Sequence, residues 1–368
     1  GNATATLDTS SINYGGLISG DNFSGIYSGV FNNANVANGK TVTITSNYSG
    51  TDVTNYSITN QSNTTANITK RALVLSTFTA TDKIYDGNST VTTNSSISGF
   101  VGSETINHNL AATFDNKNVG SSKVVTANSI TLSDGTNGGL SANYSISTGQ
   151  TTTANITAKS LTVSGITASN KTYDGSTNVT LDPSLVAYSG LVGGDTFDGT
   201  YTGAFSDKNV GTGKTVTITS SYSGADVSNY SVTDQSSTTA NITAKSLTVS
   251  GITASDKIYD GSTSATLDAS LVVYSGLVGG DTFNGSYTGA FSNANVGTGK
   301  TVTITSSYSG ADSGNYSITD QSTTTADISA KALTATASAS NKTYDGATTA
   351  TTTLTFTGLV GSETLGQT

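Results

Sequence analysis

The sequence contains no cysteine, methionine or tryptophan, one proline and one histidine in 368 residues, and only 11% of it is charged. Without cysteine there are no disulfides and no thiolate metal sites, so any fold must be held by apolar burial and backbone hydrogen bonds. With His108 as the single histidine, a Ser-His-Asp triad cannot recur along the chain. Glu104 and Glu363 are the only glutamates, which leaves the middle of the chain without glutamate for general acid–base work. Arg71 is the single arginine and the net charge is −9. No basic patch is therefore available to neutralise phosphates or to sit on an anionic leaflet, which argues against nucleic acid as a partner. No run of about 18 apolar residues is present, so membrane insertion through a helix is not expected. The first residues lack the basic and apolar regions of a signal peptide.

Ser, Thr, Asn and Gly fill the space left by the missing charges, and at 34% hydrophobic residues each stretch can bury only a thin core. Repetition is the strongest signal. Tyr-Asp-Gly recurs at Tyr85, Tyr173, Tyr259 and Tyr344, and Asn-Tyr-Ser at Asn55, Asn143, Asn229 and Asn315, a period of about 86 residues. Asn-Val-Gly at Asn118, Asn209 and Asn295 keeps step, as does the Thr-Ala-Asn-Ile stretch ending at Ile68, Ile156 and Ile242, with Asp327 in place of Asn before Ile328. The expected organisation is a partial repeat over 1–70, complete repeats over 71–158, 159–244 and 245–330, and a partial repeat over 331–368. Both termini fall inside the pattern, so the expectation is a window on a longer array. The second and third complete repeats agree at about four positions in five, which points to recent duplication of a module whose number sets length.

Within a repeat the period is two. Thr215-Val-Thr-Ile-Thr219 puts Val216 and Ile218 on one face and threonines on the other. Phe283, Gly285, Tyr287, Gly289 and Phe291 alternate large and small on one face, leaving room for a facing layer to interdigitate; Asp198-Gly199, in the equivalent segment, reads alternatively as a hairpin turn. Asp174-Gly175 and Gly193-Gly194 read as turns. No segment of ten or more residues has helical periodicity. The fold class expected is all-β, a tandem array of small β-sandwich (Ig-like) repeats forming a rod, with a β-grasp-like repeat as the alternative. Ala240 and Ile242 lie on one parity and Leu247 and Val249 on the other, with only Thr243 to Ser246 between, so neighbouring repeats should be stiffly joined without a linker.

Lys-x-Tyr-Asp-Gly, Gly-Leu-Val-Gly-x-Asp/Glu, Asn-Val-Gly-x-x-Lys, Asn-Tyr-Ser and Thr-x-Ala-x-Ile occur in fixed order over nearly the whole chain. In one repeat they are carried by Lys171 to Gly175, Gly190 to Asp195, Asn209 to Lys214 and Asn229 to Ser231. The combination resembles the YDG repeats of bacterial large exoproteins, which are similar to filamentous-haemagglutinin-like adhesins. The resemblance implies an extracellular stalk at the bacterial cell surface with no catalytic residues.

Several residues invite a chemical reading. Asp195, Asp198, Asp207 and Asp226 could offer hard oxygens to calcium, but no spacing matches an EF-hand or a Ca-binding nonapeptide, and turn geometry explains them. Lys171, Lys257 and Lys342 hold one place before Tyr-Asp-Gly, where an internal Lys–Asn or Lys–Asp bond would need a buried carboxylic acid beside it. Thr301, Thr303 and Thr305 form an outward row explained by an ordinary strand. The Asn-x-Ser/Thr sequons at Asn55, Asn67, Asn143 and Asn315 report composition. Tyr188, Tyr201, Tyr222 and Tyr230 could stack on sugars with avidity along the array, yet sit where core tyrosines belong. His108 aligns with Gly199 and reads as a surface or edge residue.

No catalytic, cofactor-binding or metal-binding residue is therefore expected, and no cofactor. The function expected is a structural stalk or spacer of a long secreted bacterial surface adhesin, not an enzyme. A self-associating extracellular fibre or biofilm-matrix component and a repeated carbohydrate-binding module are the alternatives. The partners expected are other repeats of the same chain; lateral or end-to-end self-association and surface glycans go with the alternatives.

Overall fold

The computed structural model describes residues 2–366, and among them there is no α-helix: strands alternate with turns and four single-turn 3-10 segments. The all-β tandem architecture expected from the period of two is what the chain adopts. Its compact bodies do not begin and end with the sequence repeats. One body runs to Thr162 and takes in Tyr188–Asp198 and Tyr222–Thr233; the other holds Val163–Ala187, Gly199–Ser221 and the chain from Asp234 onward. Repeat 159–244 is thus divided, while repeat 71–158 lies wholly in the first body and repeat 245–330 wholly in the second.

Repeat 245–330 shows how the strands arise. Lys245–Ser250 alternates, with Leu247 and Val249 buried and Ser246, Thr248 and Ser250 outward. It pairs antiparallel with Val273–Ser275 on one edge and parallel with Tyr316–Thr319 on the other, in the register Lys245 to Tyr316. A second sheet is built on a long hairpin, Asn284–Phe291 with Gly297–Ser309, in which Phe291 faces Val302. Thr323–Ser329 adds antiparallel to this hairpin, Lys257–Ile258 adds parallel beyond it, and Ser264–Ala265 closes the far edge. The alternation from Phe283 to Phe291 holds, and Asp198-Gly199 lies in the equivalent strand, Asp198–Phe205, rather than in a turn. Gly289 is needed for close approach: a Cβ there would lie 2.8 Å from Leu267 Cδ2 and 3.2 Å from Ala265 Cβ.

The Asn-Val-Gly-x-x-Lys motif marks a β-bulge. Register slips between Gly297 and Lys300 opposite the last strand, and Asp327 Oδ1 accepts the freed Gly299 N–H at 2.7 Å. Asn241 does the same for Gly213 and Asn67 for Gly39, which accounts for an Asn or Asp before the last isoleucine.

The sheets differ from the immunoglobulin arrangement in a specific way. They curl into half-barrels and contain parallel pairs, instead of stacking two antiparallel faces. Only Ala244 separates Ser237–Thr243 from Lys245–Ser250. The chain passes almost directly into the next repeat, whose first strand pairs in parallel with Tyr316–Thr319.

The core follows the same logic. Phe291, Val302, Ala326 and Ile328 form a cluster inside the repeat, with Tyr259 and Leu267 against it. The other half, Leu247, Val249, Ile252, Phe283, Ile304 and Tyr316, is continuous with Tyr173, Phe205, Val216, Ala240 and Ile242 of the preceding repeat. In the first body Tyr85, Phe114, Val125 and Ile156 merge likewise with Leu161, Phe197 and Tyr230. Leu247 is completely buried at this shared core. Leu247→Ala is expected to cost about 2–5 kcal/mol in urea denaturation; a loss below about 1 kcal/mol would contradict a core shared across the repeat boundary.

Candidate functional site

The motifs that recur in the sequence converge at the joint between one repeat and the next. In the first body the Tyr85 ring lies edge-on to Tyr230, 5.5 Å between centroids, and its hydroxyl donates to Asp195 at 2.8 Å. Asp195 also accepts from Tyr230 Oη at 2.5 Å, and Tyr230 Oη in turn accepts the Val192 N–H at 2.9 Å. Lys117 closes the cluster, 2.9 Å from Asp195 and 2.8 Å from Asp226. Beside it Asn229, buried, accepts the Val119 N–H through Oδ1 at 2.9 Å.

The second body repeats the construction. Tyr173 packs edge-on to Tyr316 at 5.6 Å and donates to Asp281. Lys208 lies 3.2 Å from Asp281 and 2.8 Å from Asp312, and Val210 N–H donates to Asn315 at 2.9 Å. Both copies join Tyr-Asp-Gly and Lys-Asn-Val-Gly of one repeat to Gly-Leu-Val-Gly-x-Asp and Asn-Tyr-Ser of the next.

The glycine of Tyr-Asp-Gly is required twice over. Gly175 has φ +79, in the left-handed region, and a Cβ there would come 2.9 Å from Val278 Cγ1 of the following repeat. Gly87 meets Val192 and Gly261 meets Val360 in the same way. The aspartate of the motif shapes the turn: Asp174 accepts from the Ser176 N–H at 2.8 Å and pairs with Lys171 at 2.8 Å.

The profile of the YDG domain matches residues 69–154, 157–240 and 243–326. The chain belongs to the YDG domain family. Comparison with curated proteins gives no match. The residues of the YDG joint are thus drawn from the same motifs in successive domains, and each joint uses both partners.

Electrostatics fit this packing. Burial acts to raise the Asp195 carboxyl, but hydrogen bonds from Tyr230, Lys117 and Tyr85 outweigh it and hold it below the usual range. Lys117 lowers Asp226 and Lys208 lowers Asp312, and both ammonium groups are stabilised in the charged form by their carboxylates. Burial and the facing aspartate push Tyr230 and Tyr316 up to about 12. At the turns, Asp174 is held at about 2, where burial is outweighed by Lys171 and Ser176; Lys257 and Ser262 bring Asp260 to about 2.

The other residues singled out in the sequence take their places around this frame. Asp195 and Asp226 do converge, as calcium ligands would, but the cation between them is the Lys117 ammonium. Asp207 pairs with Lys214 at 2.6 Å, and Asp198 stands in a strand. Among the described residues no group of three acidic, histidine or cysteine side chains is gathered for a metal ion. Lys171 and Lys257 are paired with Asp174 and Asp260, whose carboxylates are about half exposed, far from the desolvated setting an internal amide bond would need. His108 pairs through Nε2 with Ser95 Oγ at 2.9 Å. Tyr188 and Tyr222 pack on Phe197, at 5.2 and 5.0 Å. Asn67, Asn143 and Asn315 each accept a backbone N–H, and Thr301, Thr303 and Thr305 face outward. A cavity of about 840 Å³ lies in residues 1–70, lined by Tyr14, Phe23, Val42, Tyr48 and Tyr56.

Lys117, Lys208 and Asp312 are joint residues that no motif of the sequence points to, whereas Glu104 and Glu363 stand at the Asp/Glu position of Gly-Leu/Phe-Val-Gly-x-Asp/Glu. Glu104 accepts from Tyr144 Oη at 2.6 Å and Glu363 from Tyr259 Oη, the places of Asp195 and Asp281 in the joint. The signal was the shared offset from Gly-Leu/Phe-Val-Gly.

Two outcomes are expected. Gly175→Ala should cost about 1–3 kcal/mol by denaturant titration; no loss would contradict the left-handed turn pressed on Val278. The depressed aspartates contribute stability that is present above their unfolded value of about 3.9 and is lost as pH falls through their folded values, about 2 for Asp174 and Asp260. The thermal midpoint should therefore be flat above about pH 5 and fall between about pH 4 and 2; a midpoint unchanged down to pH 2 would contradict the pairing.

Proposed function

We propose that this chain is a structural spacer, an array of YDG domains in a secreted bacterial surface adhesin that projects or links adhesive regions and performs no chemistry itself. The observation that carries the reading is the joint. A module meant to hold distance needs rigid connection to its neighbour, and here the repeats share a core and a hydrogen-bonded cluster with a single residue, Ala244, between consecutive strands. The recurring tyrosine of Tyr-Asp-Gly, the acidic residue after Gly-Leu-Val-Gly and the side chains of Asn-Tyr-Ser are spent on that contact. The low charge and the Ser/Thr-rich outer faces suit a segment that presents little for ligands to bind. An extracellular setting rests on the resemblance to exoprotein repeats.

A second reading, a self-associating fibre, is favoured by one observation. Leu185 and Leu271, one repeat apart at equivalent positions, are 74% and 78% exposed and would suit side-by-side contact between copies. Electron microscopy of the purified chain at several concentrations, with and without calcium, separates the two. The spacer reading predicts isolated, straight particles of constant length that ignore calcium. Ordered bundles that dissolve on Leu185→Ser and Leu271→Ser would replace it with self-assembly.

A further inference from the structure

Tension along a chain of repeats enters each repeat at its first strand and leaves at its last, so the bonds between those two segments set its response to pulling. In repeat 245–330 the two are tied directly and in parallel. Lys245–Ser250 pairs with Tyr316–Thr319, and Lys257–Ile258 pairs with the last strand, Thr323–Ser329. Repeat 71–158 carries the same two parallel pairs, Arg71–Ala80 with Tyr144–Ile146 and Lys83–Ile84 with Thr151–Thr157, and repeat 159–244 carries them again.

Parallel pairing of an entry segment with an exit segment has a mechanical consequence. The entry strand is pulled from its N-terminal end and the exit strand from its C-terminal end, and in a parallel pair those two pulls point in opposite directions along the strands. The load slides one strand past the other and strains every bond of the ladder together. A hairpin pulled apart at its open end yields one bond at a time instead. The long antiparallel hairpin, Asn284–Phe291 with Gly297–Ser309, lies between the entry and exit segments in the sequence.

Side chains reinforce the same seam. Gln321, in the exit segment, holds both backbone groups of Ile252 just after the first strand: its Oε1 accepts the Ile252 N–H at 2.9 Å and its Nε2 donates to the Ile252 carbonyl at 2.6 Å. Ile252 is itself buried, so this contact is anchored in the core. Farther along, Asp256 Oδ1 accepts the Asp327 N–H at 2.7 Å, and the Tyr259 N–H donates to the Ser329 carbonyl at 2.9 Å. Gln235 holds Ile166 in the same way in repeat 159–244. These bonds join the two ends of one repeat, whereas the tyrosine–aspartate cluster joins one repeat to the next.

We infer that each complete repeat is a tension-bearing clamp, built so that pulling on the array loads its entry–exit seam in shear. The clamp goes beyond the spacer reading, because a spacer needs stiffness alone and stands without resistance to stretching.

Single-molecule force spectroscopy on the whole chain tests the clamp by pulling one repeat in two directions. The chain has no cysteine, and Ser246, Ser286, Ser307 and Ala330 are exposed, so cysteines introduced there in pairs take the handles. Ser246→Cys with Ala330→Cys pulls along the seam; Ser286→Cys with Ser307→Cys, a facing pair of the hairpin, pulls across it. At one fixed force the repeat should survive about a hundredfold longer along the seam than across the hairpin. Adding Gln321→Ala should shorten the first lifetime about tenfold and leave the second within about twofold. Equal lifetimes in the two directions overturn the clamp, and so does a Gln321→Ala variant that shortens both alike, since Gln321 would then be a general stabiliser. The comparison of directions keeps the native glutamine, so it decides even where the variant does not fold.

Discussion

Each repeat closes only part of its own core, and that constraint organises the rest. The cluster of Phe291, Val302, Ala326 and Ile328 is complete within its repeat, but Leu247, Phe283 and Tyr316 are covered by Tyr173, Phe205 and Ile242 of the repeat before. With a third of the residues hydrophobic, about 86 residues supply two thin apolar layers, not one thick core. Sharing a layer between neighbours is the economical solution, and it makes stability a property of adjacent pairs. It also explains why the compact bodies cut through repeat 159–244 and leave the joints whole.

The polar cluster at each joint sits at the rim of this shared layer. Tyrosine rings bury their faces in the apolar layer and place their hydroxyls on the aspartate, so one carboxylate gathers donors from both repeats. A hydrogen bond to a charged acceptor in a desolvated setting is directional and intolerant of displacement. The apolar layer gives the joint its strength, and the cluster gives it one geometry.

Much of the fold was legible in the sequence, because the information was local. Val216 and Ile218 between threonines announce a half-buried strand, Asp174-Gly175 a turn, and the aromatic–glycine alternation from Phe283 an interdigitating face. The parallel strands were not legible as such. They join strands far apart in sequence, Lys245–Ser250 with Tyr316–Thr319 and Lys257–Ile258 with Thr323–Ser329, and no local pattern marks such a partner. The joint itself was hidden by distance: Tyr85 and Asp195 are 110 positions apart and Lys117 and Asp195 are 78 apart. Each motif seemed sufficient within its own repeat. Glu104 and Glu363 stand at the same Asp/Glu motif position as Asp195 and Asp281, but that this position accepts from a tyrosine at the joint needs the structure.

The joint holds neighbouring repeats in one fixed relation through the shared core and the tyrosine–aspartate–lysine cluster. Thr217 and Thr303 are exposed and stand at equivalent positions on either side of the Tyr173–Asp281 joint, and the absence of native cysteine allows both to be replaced by cysteine and spin-labelled. The distance distribution between the two labels, measured by double electron–electron resonance, should be a single narrow peak. A broad distribution at neutral pH would contradict the claim, since it would mean that the shared core and the tyrosine–aspartate–lysine cluster do not fix one repeat against the next.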